Sequence, residues 1–280
     1  MKKTFLFLAC LVLCLIPIAP AVCEGGAPDL TLLAVNVRKA DALLLRSPGE
    51  TYLIDTGTEE SFDRLYAVLQ EEGVRSLTGV ILTHTDKDHA GGLKQLVRSD
   101  IEIGRVFASA YYNKKSESKH PAVKALKGTG EEVVFLSAGD SLPLSGGSLD
   151  VLGPLVHDTD KENNNSLVLM ASCSSGKILL AGDMEFPEEK TLLDAGAALE
   201  ADVLKIGNHG EDDATSNALI AAVKPRVAVI STNSDDEPDT PSPRVLRLLE
   251  SWGIPVLVTQ DAETGVLVTL KGGQVETELK

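Results

Sequence analysis

Val80-Ile81-Leu82-Thr83-His84-Thr85-Asp86-Lys87-Asp88-His89-Ala90-Gly91-Gly92 is an apolar run that stops on imidazoles and carboxylates and then on two glycines. Thr78 to Thr83 predicts a buried strand, and Asp88 to about Val97 predicts a helix. The polar cluster therefore falls where a strand hands over to a helix, and side chains there project into a cleft free of backbone pairing. Two of the five histidines and two aspartates lie within six residues. Imidazole and carboxylate together suit zinc, or the harder ion manganese. Four potential ligands on one tight loop can reach two ions about 4 Å apart. A polar turn capped by Asp86 or Asp88 would account for the aspartates but leaves both histidines without a role.

Outward from this loop, short β-rich runs alternate with helical ones. Leu30–Val37, Ala42–Leu45 and Thr51–Ile54 read as strands, with a turn at Pro48-Gly49-Glu50. Ser61 to Glu72 carries Leu65, Val68 and Leu69 on one helical face and ends at Gly73. Val106–Ser109 is a further strand, Ala122–Lys127 a short helix, and Val133–Val151 a set of short strands. Ser166–Ala171 and Lys177–Leu180 predict a hairpin over Ser174-Ser175-Gly176. Strand and helix then alternate through Val203–Ile206, Ala214–Val223, Arg226–Ser231, Arg244–Trp252 and Val256–Thr259, and Val266–Leu270 closes the pattern. The expected fold class is α/β (α+β), with two sheets covered outside by helices.

Hydrophobic residues make up 43 % of the 280 positions and aromatics only 4 %, so the core must rest on Leu, Val, Ile and Ala. Residues 1–23 start basic with Lys2-Lys3 and continue apolar to Ile16, with Ala19-Pro20-Ala21 offering a cleavage site. They read as a signal peptide and imply a secreted, extracytoplasmic protein. An uncleaved N-terminal membrane anchor is the alternative, and lipid attachment at Cys23 a weaker one. No membrane span is expected beyond this segment. Three of the four cysteines lie in or beside it, leaving Cys173 as a core residue and no disulfide framework. The net charge is -15, or -17 without Lys2 and Lys3. That balance opposes tight non-specific binding to nucleic acid, and no strong nucleic-acid patch is present. Lys114-Lys115 beside Tyr111-Tyr112 is the nearest candidate, and reads better as a solvated loop.

One loop makes an incomplete site, so other ligands must converge on it. Asp183 follows an apolar strand, and Gly182 lets the backbone come close. It is a bridging carboxylate or a turn residue. Asp55, before Thr56-Gly57, is a turn residue or a partner that orients a ligand histidine. His209 follows a strand and precedes Gly210, which favours a ligand. His120 reads as a surface residue, and His157 stays open. Asp55 and Asp183 both end apolar strands, as His84 and His209 do. Two half-domains are therefore expected to face each other with four strand ends meeting.

The ordered set Leu53-Ile54-Asp55-Thr56-Gly57, His84 to Gly92, Ala181-Gly182-Asp183 and Asn208-His209-Gly210 resembles the metallo-β-lactamase superfamily. More narrowly it is similar to the β-lactamase-like domain of the ComEC/Rec2 competence group. That branch has Asp where other branches have a second histidine, as at Asp86. It also carries runs like Asn165-Ser166-Leu167-Val168 and Leu204-Lys205. The resemblance covers roughly residues 30 to 270, and a domain over residues 28–275. It implies an αββα sandwich, with His84 and Asp86 holding one metal, Asp88 and His89 the other, Asp183 bridging and His209 completing the second site. Asp55 would orient the loop. Asn165 falls near the place of another branch's third histidine. Asn208 stands where the family has histidine. These two, with Lys205, are assigned to ligand support or substrate binding.

The reaction this implies is two-metal hydrolysis, with water acidified between two cations attacking phosphorus or carbonyl. Asp88 and Asp183 are the expected catalytic residues, and Lys205 could pair with a substrate anion. A phosphodiester or other small molecule is the expected substrate. Carboxyl-ester, lactone or thioester hydrolysis is the alternative, and a non-catalytic binding module retaining the fold is another. Zinc is the favoured cofactor, with two ions or manganese as variants.

Overall fold

The protein is described by a computed structural model over residues 29–280. The proposed export segment, residues 1–23, lies outside the described residues. Two large mixed sheets pack face to face. The first runs in the order Gln274–Leu279, Gly265–Lys271, Leu30–Val35, Leu43–Arg46, Thr51–Ile54, Gly79–Leu82, Val106–Ser109 and Val133–Leu136. The second runs Val256–Val258, Val227–Ile230, Val203–Lys205, Gly176–Leu180, Val168–Cys173, Gly147–Gly153 and Ser141–Leu144.

Strands buried on both faces need apolar side chains at successive positions, and the sequence supplies them. Along Leu30–Val35, Leu30, Leu32 and Ala34 enter the core between the sheets. Leu33 and Val35 point the other way, toward the helices that cover the first sheet. Along Gly79–Leu82, Ile81 faces the second sheet while Val80 and Leu82 face helices. The second sheet has its own helical cover, with Leu179 and Leu204 packed against Leu219 and Leu249. The four layers are helix, sheet, sheet, helix, as expected.

Helix Phe62–Glu71 buries Phe62, Leu65, Val68 and Leu69, the stripe read from the sequence. Three elements differ from expectation. The helix read over 88–97 is two short pieces, Lys87–Ala90 and Leu93–Leu96. The break is at Gly91-Gly92, where the chain runs against the loop after Ile54. A Cβ on Gly92 would sit 2.3 Å from the Thr56 carbonyl oxygen, and one on Gly91 2.6 Å from the Glu59 nitrogen. Helix Phe186–Asp194 has no sequence counterpart, because Glu188 and Glu189 are buried beside Leu192 where an apolar stripe would stand. Strand Gln274–Leu279 continues beyond Leu270 as an exposed edge, joined through Gly272-Gly273 with φ of 55° and 77°. That pair of glycines is a hairpin-turn signal.

Among the described residues no helix is long and apolar enough to cross a membrane.

Candidate metal centre

Thr51–Ile54 and Gly79–Leu82 are parallel neighbours in one sheet, and Gly176–Leu180 and Val203–Lys205 are parallel neighbours in the other. Their C-terminal ends lead into Asp55, His84, Asp183 and His209. The chain leaves three of them through left-handed or tight backbone: φ is 60° at Asp55, 53° at Gly182, and 45° and 52° at Asn208 and His209. Such conformations are uncommon for residues with a Cβ and concentrate at functional sites. At Gly182 a Cβ would come within 2.9 Å of Ser166 Cβ, so glycine is what lets Asp183 dock there.

Asp183 Oδ2 is the point of convergence. It lies 3.1 Å from His89 Nε2, 3.4 Å from His209 Nε2 and 3.8 Å from His84 Nε2. Asp88 Oδ2 is 3.3 Å from His209 Nε2. Asp88, His89, Asp183 and His209 each offer a donor atom, all within 4.8 Å of one another. His84 Nε2 is 3.8 Å from Asp86 Oδ2, so His84, Asp86 and Asp183 make a second, more open arrangement. The three histidines are fully buried, while the Asp86 side chain is 42 % exposed and Asp88 28 %.

The far side of each ring fixes its tautomer. His89 Nδ1 donates to Asp55 Oδ2 at 2.7 Å, and His209 Nδ1 donates to the Ser231 carbonyl at 2.8 Å. Thr83 Oγ1 donates to Asp55 Oδ2 at 2.7 Å and stands 3.1 Å from His84 Nδ1, whose N–H it accepts. The Thr83 N–H donates to Asp55 Oδ1 at 2.8 Å. Ser166 Oγ is 3.3 Å from His84 Nδ1 and accepts the Asp183 N–H at 3.1 Å. All three Nε2 atoms therefore turn toward Asp183. The Nε2 atoms of His89 and His209 are only 3.3 Å apart, so as neutral imidazoles they would set lone pair against lone pair unless a cation stands between them. His84 Nε2 and Asp183 Oδ1 are buried without any hydrogen-bond partner. Converging ring nitrogens backed by acceptors, with orphaned buried acceptors beside them, fit a divalent cation and match the way metal-ligating histidines are held.

The field of the site has the same sense. Burial lowers the basicity of His209, but Asp183 and Asp88 more than offset it and hold it up to about 9. His89 is likewise raised against its burial by Asp183 and Asp55. Asp183 resists burial through His89 and His209 and stays well below the usual carboxylate range. His84 goes the other way, down to about 3, from burial and from neighbouring His89. Burial and then Glu162 push the Asp86 carboxyl up, and Lys114 draws it partly back.

Asp55, expected to orient the loop, accepts from His89 Nδ1 and Thr83 Oγ1. Lys205 does not reach the cleft: it is fully buried and ion-paired with Asp41, which corrects its reading as a substrate contact. Asn165 turns away from the cluster and holds the Asp158 N–H and carbonyl, each at 2.9 Å. Asn208 donates to Asp213 at 2.9 Å and accepts weakly from Asn163. His120, expected at the surface, is buried. It caps helix Pro121–Ala125 and packs edge-on against Tyr112 and Phe135. Sequence reasoning missed Asp41, Thr83, Ser166 and Glu162. Glu162 ties Thr85 Oγ1 and the Thr85 N–H to the Asn113 N–H, fixing the wall beside Asp86. Thr83 and Ser166 each stood beside a residue already singled out, and that adjacency was their only signal.

Residues 35–234 match the family described as the Metallo-beta-lactamase superfamily. ComE operon protein 3 of Bacillus subtilis is 27 % identical over 275 residues, covering 92 % of this chain and 35 % of that protein. Recombination protein 2 of Haemophilus influenzae is 29 % identical over 211 residues, covering 73 % of this chain and 24 % of that protein. The chain thus spans about a third or less of the length of these relatives. The metallo-beta-lactamase fold protein YhfI from Bacillus subtilis superposes with a TM-score of 0.57 at 13 % identity, covering 89 % of this chain and 100 % of that one. A diphosphatase from the PhnP family superposes at 0.50 with 14 % identity, covering 90 % and 99 %. At such identities these two likenesses concern the fold.

Proposed function

This chain belongs to the metallo-beta-lactamase superfamily, and from that premise we propose that it is a divalent-metal-dependent hydrolase of phosphodiesters. The observation that carries the reading is Asp183 Oδ2, which stands within 3.8 Å of three buried imidazole nitrogens. Asp88, His89, Asp183 and His209 would hold one ion. His84 and Asp86, with Asp183 shared, would hold a second. Ions held there would supply Lewis acidity at a phosphoryl oxygen and would acidify water. Asp55 and Ser231 keep His89 and His209 in the tautomer that faces the centre. Asp88, the partly exposed carboxylate of the first set, would be the acceptor for a proton from that water. Three carboxylates beside three imidazoles suit zinc and also manganese. A fold shared with a diphosphatase is compatible with phosphoester chemistry. Action outside the cytoplasm belongs to the same proposal and rests on residues 1–23 alone.

Purified protein should hydrolyse bis(p-nitrophenyl) phosphate, lose that activity to a chelator and regain it with zinc or manganese. Turnover of lactones or thioesters without phosphodiesters would move the site to acyl transfer. Metal held without turnover of any of these would make the chain a binding module.

A further inference from the structure

Lys39 lies beside the centre without belonging to either ligand set. Its loop joins Leu30–Val35 to Leu43–Arg46 and is pinned on both sides of the lysine. Arg38 takes a left-handed backbone, φ 69°, and its Nε donates to both carboxylate oxygens of Asp236, at 3.0 and 2.8 Å. Left-handed backbone at a residue with a Cβ is uncommon and concentrates at functional sites. Two residues after Lys39, the Asp41 N–H donates to the Asp88 carbonyl at 3.1 Å. The loop is thus tied to the segment of one candidate ligand. The Lys39 ammonium reaches to Glu211 Oε1 at 2.8 Å, and Glu211 stands two residues beyond His209, a second candidate ligand. The Lys39 side chain is 21 % exposed and that of Glu211 34 %. Burial lowers the basicity of Lys39, but Glu211 more than offsets it, and Asp88 and Asp183 add to the gain. The positive charge is therefore kept, and it is felt at two carboxylates of the centre.

A chain of net charge -15 presents an unfavourable field to an anionic substrate, and a cation beside the centre offsets that field locally. Partly exposed ion pairs contribute little to stability, so Lys39 can leave Glu211 at small cost. A lysine suits such an exchange, being a compact charge with rotatable donors on a flexible stem. Arg38, forked onto Asp236, keeps the loop in place while the neighbouring side chain moves. We propose that Lys39 exchanges Glu211 for a charged oxygen of the substrate, and so favours phosphodiesters over neutral esters at the metal centre. This deepens the phosphodiester reading and rests on it. The anion contact expected of Lys205, which is buried on Asp41, falls to Lys39.

The test is calorimetric binding of inorganic phosphate to the natively purified protein and to three variants. Lys39→Met keeps the apolar stem and removes the charge, and should weaken phosphate binding about tenfold, the scale of a hydrogen bond to a charged group. Glu211→Gln should act in the opposite direction. By releasing the ammonium it should tighten phosphate binding about threefold, the scale of a partly exposed ion pair. In the double variant that gain should vanish, because it passes through Lys39. An ion pair with only a structural role would suffer alike from either change, so loss of affinity in both single variants overturns the proposal. A Glu211→Gln gain that persists without Lys39 overturns it by marking a general field effect. Loss of bound metal in Lys39→Met overturns it by placing the lysine in support of the ligands, and a parent that binds no phosphate overturns it outright. On bis(p-nitrophenyl) phosphate, Lys39→Met should raise KM more than it lowers kcat. Cleavage with an unchanged KM would remove Lys39 from substrate binding and leave the phosphodiester reading standing. Because phosphate binding is read without turnover, the expected pattern in a protein that cleaves no phosphodiester would sink the catalytic reading and leave the anion contact standing.

Discussion

Lys205 and Asp41 form a fully buried ion pair directly behind His209, whose Nδ1 is 4.0 Å from Asp41 Oδ1. Removing one partner of such a pair leaves an uncompensated charge and costs about 3–5 kcal/mol. Lys205→Met should therefore destabilise the protein by that amount in urea unfolding, and adding Asp41→Leu should restore most of the loss. A single Lys205→Met variant as stable as the parent would contradict the pairing. Asp55 acts differently, by holding His89 and Thr83 in place. Asp55→Ala should leave the fold intact by circular dichroism and weaken metal binding about 10–100-fold, the usual effect of losing a partner behind a ligand histidine. At this scale the clustered histidines and aspartates were legible because their side-chain types have few other uses together. Asp41 lies between two alanines, and only the folded chain shows that it faces Lys205.

The two broken helical pieces after His84 illustrate the scale of the element. Periodicity supports one helix over 88–97, but Gly91-Gly92 must pass under the Thr56–Glu59 loop, and that contact splits it. Gly92→Ala would press a methyl group into the Thr56 carbonyl, and overpacking of this kind costs about 1–3 kcal/mol. Reduced thermal stability together with weakened metal uptake is expected, since Thr56 Oγ1 and N–H both bind the His89 carbonyl. An unchanged melting temperature would mean that the two loops are free to separate. Strands buried on both faces were readable throughout because their apolar runs are continuous. Helix Phe186–Asp194 was not, because its buried face is partly carboxylate: Glu189 bonds the Ser216 N–H, and Glu188 is buried without a hydrogen-bond partner.

Across the whole molecule, the four strand ends anticipated from the half-domain pattern do meet, and their charges couple site to stability. In the metal-free protein His209 is held near 9, above its ordinary 6.5. Its contribution is fully present below pH 6.5 and is lost as pH rises through 9. His84 is held near 3, so its contribution is present above 6.5 and is lost as pH falls toward 3. Together these two groups should give metal-free protein a melting temperature that falls on both sides of about pH 6.5. Metal should flatten the alkaline limb by replacing the protons on His209. A melting temperature that climbs steadily from pH 6.5 to 9 without metal would contradict these charge states. The meeting of strand ends was legible because each ends on a chemically distinctive residue. The stacking of His157 on Tyr111 was not, since the two rings come from segments with no shared pattern. Metal analysis of the natively purified protein, beside an Asp183→Ala variant, asks most directly whether the convergence on Asp183 is a metal centre. At least about one tightly held equivalent of zinc or manganese in the parent, lost in the variant, is expected. Less than about a tenth of an equivalent in the parent, with none gained on incubation with either ion, would contradict it.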